Sequence, residues 1–210
     1  MSVRQGALPT AEDVSAFIRT YIIEGIPRAF VRYPIVYDCI RSKVSKELGV
    51  MPTQVCLTGS AKLGFSLNPE KWMVKYSEQI SDLNFFIISD QLFLKISQEL
   101  QQWETDLENG RFEKLPLREK RFWDGNIARA KNNVLRGFVD PRYIACQYKW
   151  VIRCEKLCRE IPAFAQNILP VTHSGKCSFK TSFRVYESRN AALRQIKLNI
   201  DSAISKVVVS

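Results

Sequence analysis

A short apolar run that stops on Gly-Ser, followed by a second apolar run opened by an acidic residue, constrains this chain most. Gln54-Val55-Cys56-Leu57-Thr58 is short and apolar, which reads as a buried strand, and Gly59-Ser60 closes it. An irregular stretch runs from Gly64 to Gln79. Leu83-Asn84-Phe85-Phe86-Ile87-Ile88 then forms the clearest strand in the sequence, rich in aromatic and β-branched residues.

Helical periodicity surrounds these runs. Thr10 with Asp13 matches a capping box, and Val14, Phe17, Ile18, Tyr21 and Ile22 follow at helical spacing up to Gly25-Ile26-Pro27. A second helix is expected after Pro34, with Val36, Ile40, Val44 and Leu48 on one face and Gly49 at its C-terminal cap. Asp90 is expected to cap a third, carrying Leu92, Ile96, Leu100, Trp103 and Leu107, and Asn109-Gly110 to end it. Residues 117–139 and 141–160 read as two more helices parted at Asp140-Pro141, the second closed by Ile161-Pro162. Trp123, Ile127, Ala130 and Val134 form the buried stripe of the first, and Tyr143, Gln147, Trp150, Val151 and Cys154 that of the second. Phe179 to Tyr186 alternates with period two, as a strand does, and a last helix is expected from Ser188 to about Lys206. The expectation is α/β (α+β), a small mixed sheet flanked by helices with a helical C-terminal half. Residues 1–210 form one domain in this reading: a core of about 50–110 plus a strand at 177–187, and a helical insertion at about 111–165.

Charge narrows the choice of partner. Between Arg111 and Glu160, 13 Lys/Arg stand against 6 Asp/Glu, which supplies +7 of the formal +10. Such a basic stretch attracts phosphates, so RNA or DNA is a candidate partner through helices 111–160; a solvated helical face explains it equally. A protein partner in a larger assembly is the other candidate. Charge interrupts every apolar run within about ten residues, which argues against a membrane span. Met1 to Gly6 lacks the apolar core of a secretion signal, so a cytoplasmic location is expected. Six cysteines in such a chain read as reduced thiols. Cys154/Cys158 and His173/Cys177 have zinc-like spacing, but packing of the thiols as small hydrophobes is the preferred reading.

Gly59-Ser60 followed by Asp82-Leu83-Asn84 resembles the mark of the polymerase-β-like nucleotidyltransferase superfamily, Gly-Ser with Asp-x-Asp on the next strand. Gly59 to Pro69 also resembles small bacterial proteins of that fold, as do Glu24-Gly25-Ile26-Pro27 and Glu47-Leu48-Gly49-Val50. The resemblance covers much of residues 24–93 and fades beyond them. It implies a nucleotidyltransferase-like fold that binds a nucleoside triphosphate, and moves a nucleoside monophosphate onto nucleic acid or protein. Small bacterial proteins of this fold often serve in toxin–antitoxin or antiviral defence systems.

The physical logic of the motif stands beside the resemblance. Gly59 lets the backbone approach a phosphate, and Ser60 offers a hydroxyl and an amide. Lys62 is a further phosphate candidate, whereas Lys75 reads as an exposed loop lysine. Carboxylates spaced i,i+2 on a strand share a face and can hold Mg²⁺, with a third acid completing a pair of ions about 4 Å apart. This chain departs from that pattern. Asp82 matches the first carboxylate, but Asn84 stands at the second and removes a full negative charge. Lys180 and Arg184 occupy the next strand, as a phosphate clamp or a solvent face, and Glu187 is the nearest candidate for a third acid. Asp82, Asn84 and Ser60 are therefore the candidate catalytic residues, Asp82 and Asn84 the metal ligands, and Gly59, Ser60, Lys62, Lys180 and Arg184 the nucleotide ligands. The alternative is a degenerate fold that binds nucleotide or nucleic acid without turnover. In that case Trp123, Phe138, Tyr143 and Trp150 among the basic residues are candidates for base stacking, although their helical spacing suits a core.

Overall fold

The two strands expected around the Gly-Ser turn are formed and lie side by side. The computed structural model describes residues 10–77, 81–111, 117–168 and 180–208. β1 (Val55–Thr58) pairs antiparallel with β2 (Leu83–Ile88), placing Thr58 opposite Asn84. β3 (Phe138–Val139) pairs antiparallel with β4 (Thr181–Tyr186), and β4 runs parallel to β2 with Ser182 opposite Asn84. The sheet order is β1-β2-β4-β3. A parallel pair needs a long crossover, and here the helices Asp90–Glu108, Leu117–Leu135 and Lys149–Ile168 lie on it.

Side-chain alternation divides the sheet into two buried faces. Leu57, Leu83, Phe85, Ile87, Phe183 and Val185 enter one core with α2 (Pro34–Leu48), α4 (Asp90–Glu108), α5 (Leu117–Leu135) and α6 (Lys149–Ile168). Cys56, Phe86, Phe138 and Tyr186 enter the other, against α1 (Ala11–Phe17), its continuation Ile18–Ile23 and α7 (Arg189–Val208). The α1 capping box is present: the Asp13 amide donates to Thr10 Oγ1 at 3.2 Å, and Asp13 Oδ2 accepts from the Thr10 amide at 2.9 Å. Pro34 opens α2 and Gly49 ends it at φ +66°.

Several expectations are corrected. The first helix widens into a π-helix over Ile18–Ile23, which keeps Ile18 and Ile22 on the buried side. Ser89, not Asp90, caps α4, its Oγ accepting from the Leu92 amide at 3.2 Å. α5 ends at Leu135, and Phe138–Val139 is a strand rather than helix, because Gly137 at φ +82° turns the chain onto the edge of β4. The helix expected from Pro141 starts only at Lys149, after a single 3-10 turn at Pro141–Tyr143, so Tyr143 lies outside it and Gln147 is exposed. α6 also runs through Pro162. The ring removes one donor, but Leu157, Ile161 and Ala165 are fully buried and hold the helix together. Among the described residues no helix is long and apolar enough to cross a membrane.

Candidate functional site

Thr58, Asn84 and Ser182 stand in one row across β1, β2 and β4, on the face covered by α7. Beyond Thr58 the chain turns through Gly59 at φ +73°, ψ −158°, a conformation nearly reserved for glycine. The Asn84 amide lies against this turn, its Nδ2 3.6 Å from the position a Gly59 Cβ would take. Ser60 begins α3 (Ser60–Leu63), a single helical turn. Asn84 Oδ1 accepts from Ser182 Oγ at 2.6 Å, so its carbonyl oxygen is engaged and its amide hydrogens remain.

Next to Ser182 on the same face, Arg184 donates from Nε and Nη2 to the two oxygens of Asp140, at 2.9 and 3.0 Å. Asp140 is buried and also accepts from Asn133 Nδ2 at 3.3 Å. The guanidinium packs over the Phe138 ring, 4.4 Å from its centroid. Burial works against the Arg184 charge, but the hydrogen bonds and charge of Asp140 outweigh it, and its pKa rises above the ordinary arginine value.

Two clefts open on this array. The larger, about 590 Å³, is lined by Gly59, Ser60, Asn68, Asn84, Asp140, Arg142, Ser182, Arg184 and Tyr186, with Ile22, Leu63, Leu67, Ile196 and Ile200 as its apolar wall. The smaller, about 340 Å³, is lined by Asn84 and Ser182 from the strands, by Asp82 and Lys180 just before them, with Arg142 beside them and Cys154, Glu155, Cys158 and Arg159 from α6. Of the residues singled out by sequence, the fold brings together Gly59, Ser60, Asn84 and Arg184 in the larger cleft, and Asp82, Asn84 and Lys180 in the smaller.

Other expected residues go elsewhere. Lys62 is buried, and its Nζ donates to the carbonyls of Glu24 and Gly25 at 2.5 and 2.6 Å. It fastens the exit of the first helix and is not offered to a phosphate; burial lowers its pKa. Arg184 is committed to Asp140, so it does not make a free clamp with Lys180. Glu187 follows the last residue of β4, five residues from Ser182 or about 16 Å along a strand. Its carboxylate lies over Gly137, with Oε1 2.7 Å from the position a Gly137 Cβ would take, and Glu187 lines neither cleft. Lys75 is exposed, as expected. Cys154 is buried and Cys158 packs beside it, with burial raising both thiols, Cys158 to about 11. His173 and Cys177 lie outside the described residues.

The four aromatic residues of the basic stretch are already occupied. Trp123 meets Trp103 edge-on at 5.8 Å and Phe138 is buried. Arg129 and Arg142 cover Tyr143, and Lys95, Lys149 and Arg153 surround Trp150. These rings serve the core and the cations rather than an open stacking face.

The donor set fits Mg²⁺ poorly. Asp82 is one exposed carboxylate, Asn84 is a neutral amide whose oxygen already accepts from Ser182, and the nearby buried acid, Asp140, is paired with Arg184. Magnesium favours anionic oxygen in near-octahedral array. Among the described residues no group of three or more His, Cys, Asp or Glu is placed to hold a metal ion. Asp140 and Arg142 are the site residues that sequence reasoning missed. Their signal was the period-two spacing of Phe138 and Asp140, hidden by reading 117–139 as one helix. No protein-family model, curated protein or solved structure matches the chain.

Proposed function

We propose that this chain is a catalytically degenerate nucleotidyltransferase-like protein that binds a nucleotide in the larger cleft without transferring it. One observation carries the reading: the Asn84 carbonyl oxygen, which stands where a metal-binding carboxylate is expected, accepts the Ser182 hydroxyl at 2.6 Å. The adjacent strand supports it by presenting Lys180, Ser182 and Arg184 where a further acid is expected. What remains is a set of donors. The Asn84 amide, the Ser60 hydroxyl and the Arg142 guanidinium suit phosphate oxygens, and the aliphatic wall from α7 suits a nucleoside.

The test incubates the protein with each labelled nucleoside triphosphate and Mg²⁺ or Mn²⁺, with RNA, DNA and total protein as acceptors. Nucleotide binding without label transfer is expected. Transfer by the unaltered chain, lost in Asp82→Ala, would refute the degenerate reading and establish a metal-dependent transferase. Transfer confined to Asn84→Asp would place a working site behind one substitution and leave the reading of the unaltered chain intact.

A further inference from the structure

Asn84, Arg142, Ser182 and Phe183 line both clefts, which therefore adjoin across the β2–β4 row with a mostly polar waist between them. Each has a lobe beyond the waist with an apolar side: Ile196 and Ile200 of α7 in the larger, Pro141 and the cysteines of α6 in the smaller. We infer that the pair forms one bipartite site for two nucleosides joined through phosphate, with the linking phosphate at Asn84 and Arg142. This deepens the nucleotide-binding reading above and rests on it.

The waist has the chemistry such a link needs. Asn84 Oδ1 is engaged by Ser182, which turns the side chain into a donor toward the space in front of Gly59. Arg142 is exposed, makes no ion pair among the described residues, and rests against the Tyr143 ring with 4.8 Å from guanidinium to centroid. A planar guanidinium and an amide at one place form charge-assisted bonds to a phosphate oxygen pair.

The outer part of the smaller lobe is different. Lys180 and Arg159 stand there with Asp82 and Glu155, two cations against two carboxylates. Such a charge-balanced rim suits the donors and acceptors of a base and sugar, and offers no second concentration of positive charge for a phosphate. A volume of about 340 Å³ lies within the range of small-ligand pockets. A mononucleotide seated in the larger lobe with its phosphate at the waist leaves this lobe empty. A second nucleoside fills it.

Calorimetry on the intact chain tests this with three probes: adenosine monophosphate, a 3′,5′-phosphodiester diadenosine, and a 5′,5′-diphosphate diadenosine, each repeated with the other common bases. One linked form is expected to bind roughly tenfold or more tightly than the mononucleotide. Preference between the two linked forms identifies an RNA-type phosphodiester or a pyrophosphate bridge. Arg159→Glu, an exposed position lining only the smaller lobe, is expected to abolish that advantage while leaving mononucleotide affinity unchanged. Equal binding of linked and single nucleotides, or an equal loss of both in Arg159→Glu, would overturn the bipartite site and leave the proposed function standing. Failure of every nucleotide to bind, triphosphates included, would end both.

Discussion

Arg184 is half-buried on the wall of the larger cleft, and its partner Asp140 is the buried member of the pair: the carboxylate side chain is 6% exposed and accepts both guanidinium bonds. Removing one partner leaves the other charge buried and uncompensated, which outweighs the modest net value of the pair itself. Asp140→Ala is therefore expected to lower stability by about 1–3 kcal/mol in urea unfolding, because the guanidinium left behind keeps some contact with water, whereas Asp140→Ala with Arg184→Met recovers part of the loss. Lys62 supplies a second residue-level prediction. Its ammonium satisfies two backbone carbonyls in the interior, so Lys62→Met is expected to cost roughly 1–3 kcal/mol. Nucleotide affinity should be unchanged. A large loss of affinity with intact stability would instead restore Lys62 to the phosphate site that its sequence position suggests.

Secondary-structure elements show how far local sequence carries the fold. β1, β2 and the body of β4 lie where apolar and alternating runs place them, and α2 ends on the glycine that its pattern marks. These were legible because burial on a two- or 3.6-residue period is a local property. β3 was not legible. Two residues have no period of their own, and Phe138–Val139 becomes a strand only because β4 offers an open edge to pair with. The continuation of α6 past Pro162 was hidden for a similar reason: packing of Ile161 and Ala165 overrides the proline, and packing is not visible locally. The same limit hid half of the site, since Asp140 acquires its meaning from Arg184, 44 residues away. The start of α6 yields a pH prediction. Glu99 on α4 accepts from the Trp150 and Val151 amides at 2.8 and 3.1 Å, an N-terminal cap supplied by a different helix. Burial raises its pKa above 4.5, against the pull of those amides. The folded state thus holds the Glu99 proton more tightly than the unfolded state. The resulting stability is present below the ordinary glutamate range and lost as pH rises above it. Relative to Glu99→Gln, the unaltered protein should lose stability as pH rises above the ordinary glutamate range. A flat or rising difference would show that the amides, not burial, dominate this carboxylate.

Across the molecule, thiol accessibility maps which parts open together. Cys146 is exposed and Cys39 half-buried, while Cys56 and Cys154 are buried and Cys158 is half-buried with a raised pKa. Among these five cysteines, alkylation of the native protein should therefore reach Cys146 first, and Cys56 and Cys154 only at the rate of global unfolding. Early labelling of Cys154 would mean that α6 detaches from the sheet in the native state. The parallel pairing of β2 with β4 has a consequence in time. The bond between Ser182 and Asn84 joins residues 98 positions apart. A chain emerging from the ribosome can form the β1–β2 ladder long before β4 exists, and until then β2 presents an unpaired hydrophobic edge. Both clefts come into being only when the C-terminal stretch docks, so their assembly is a late, non-local and slow event. A nascent chain stalled before Thr181 has neither cleft nor a completed sheet, and is the species in which another molecule's strand can take the place of β4.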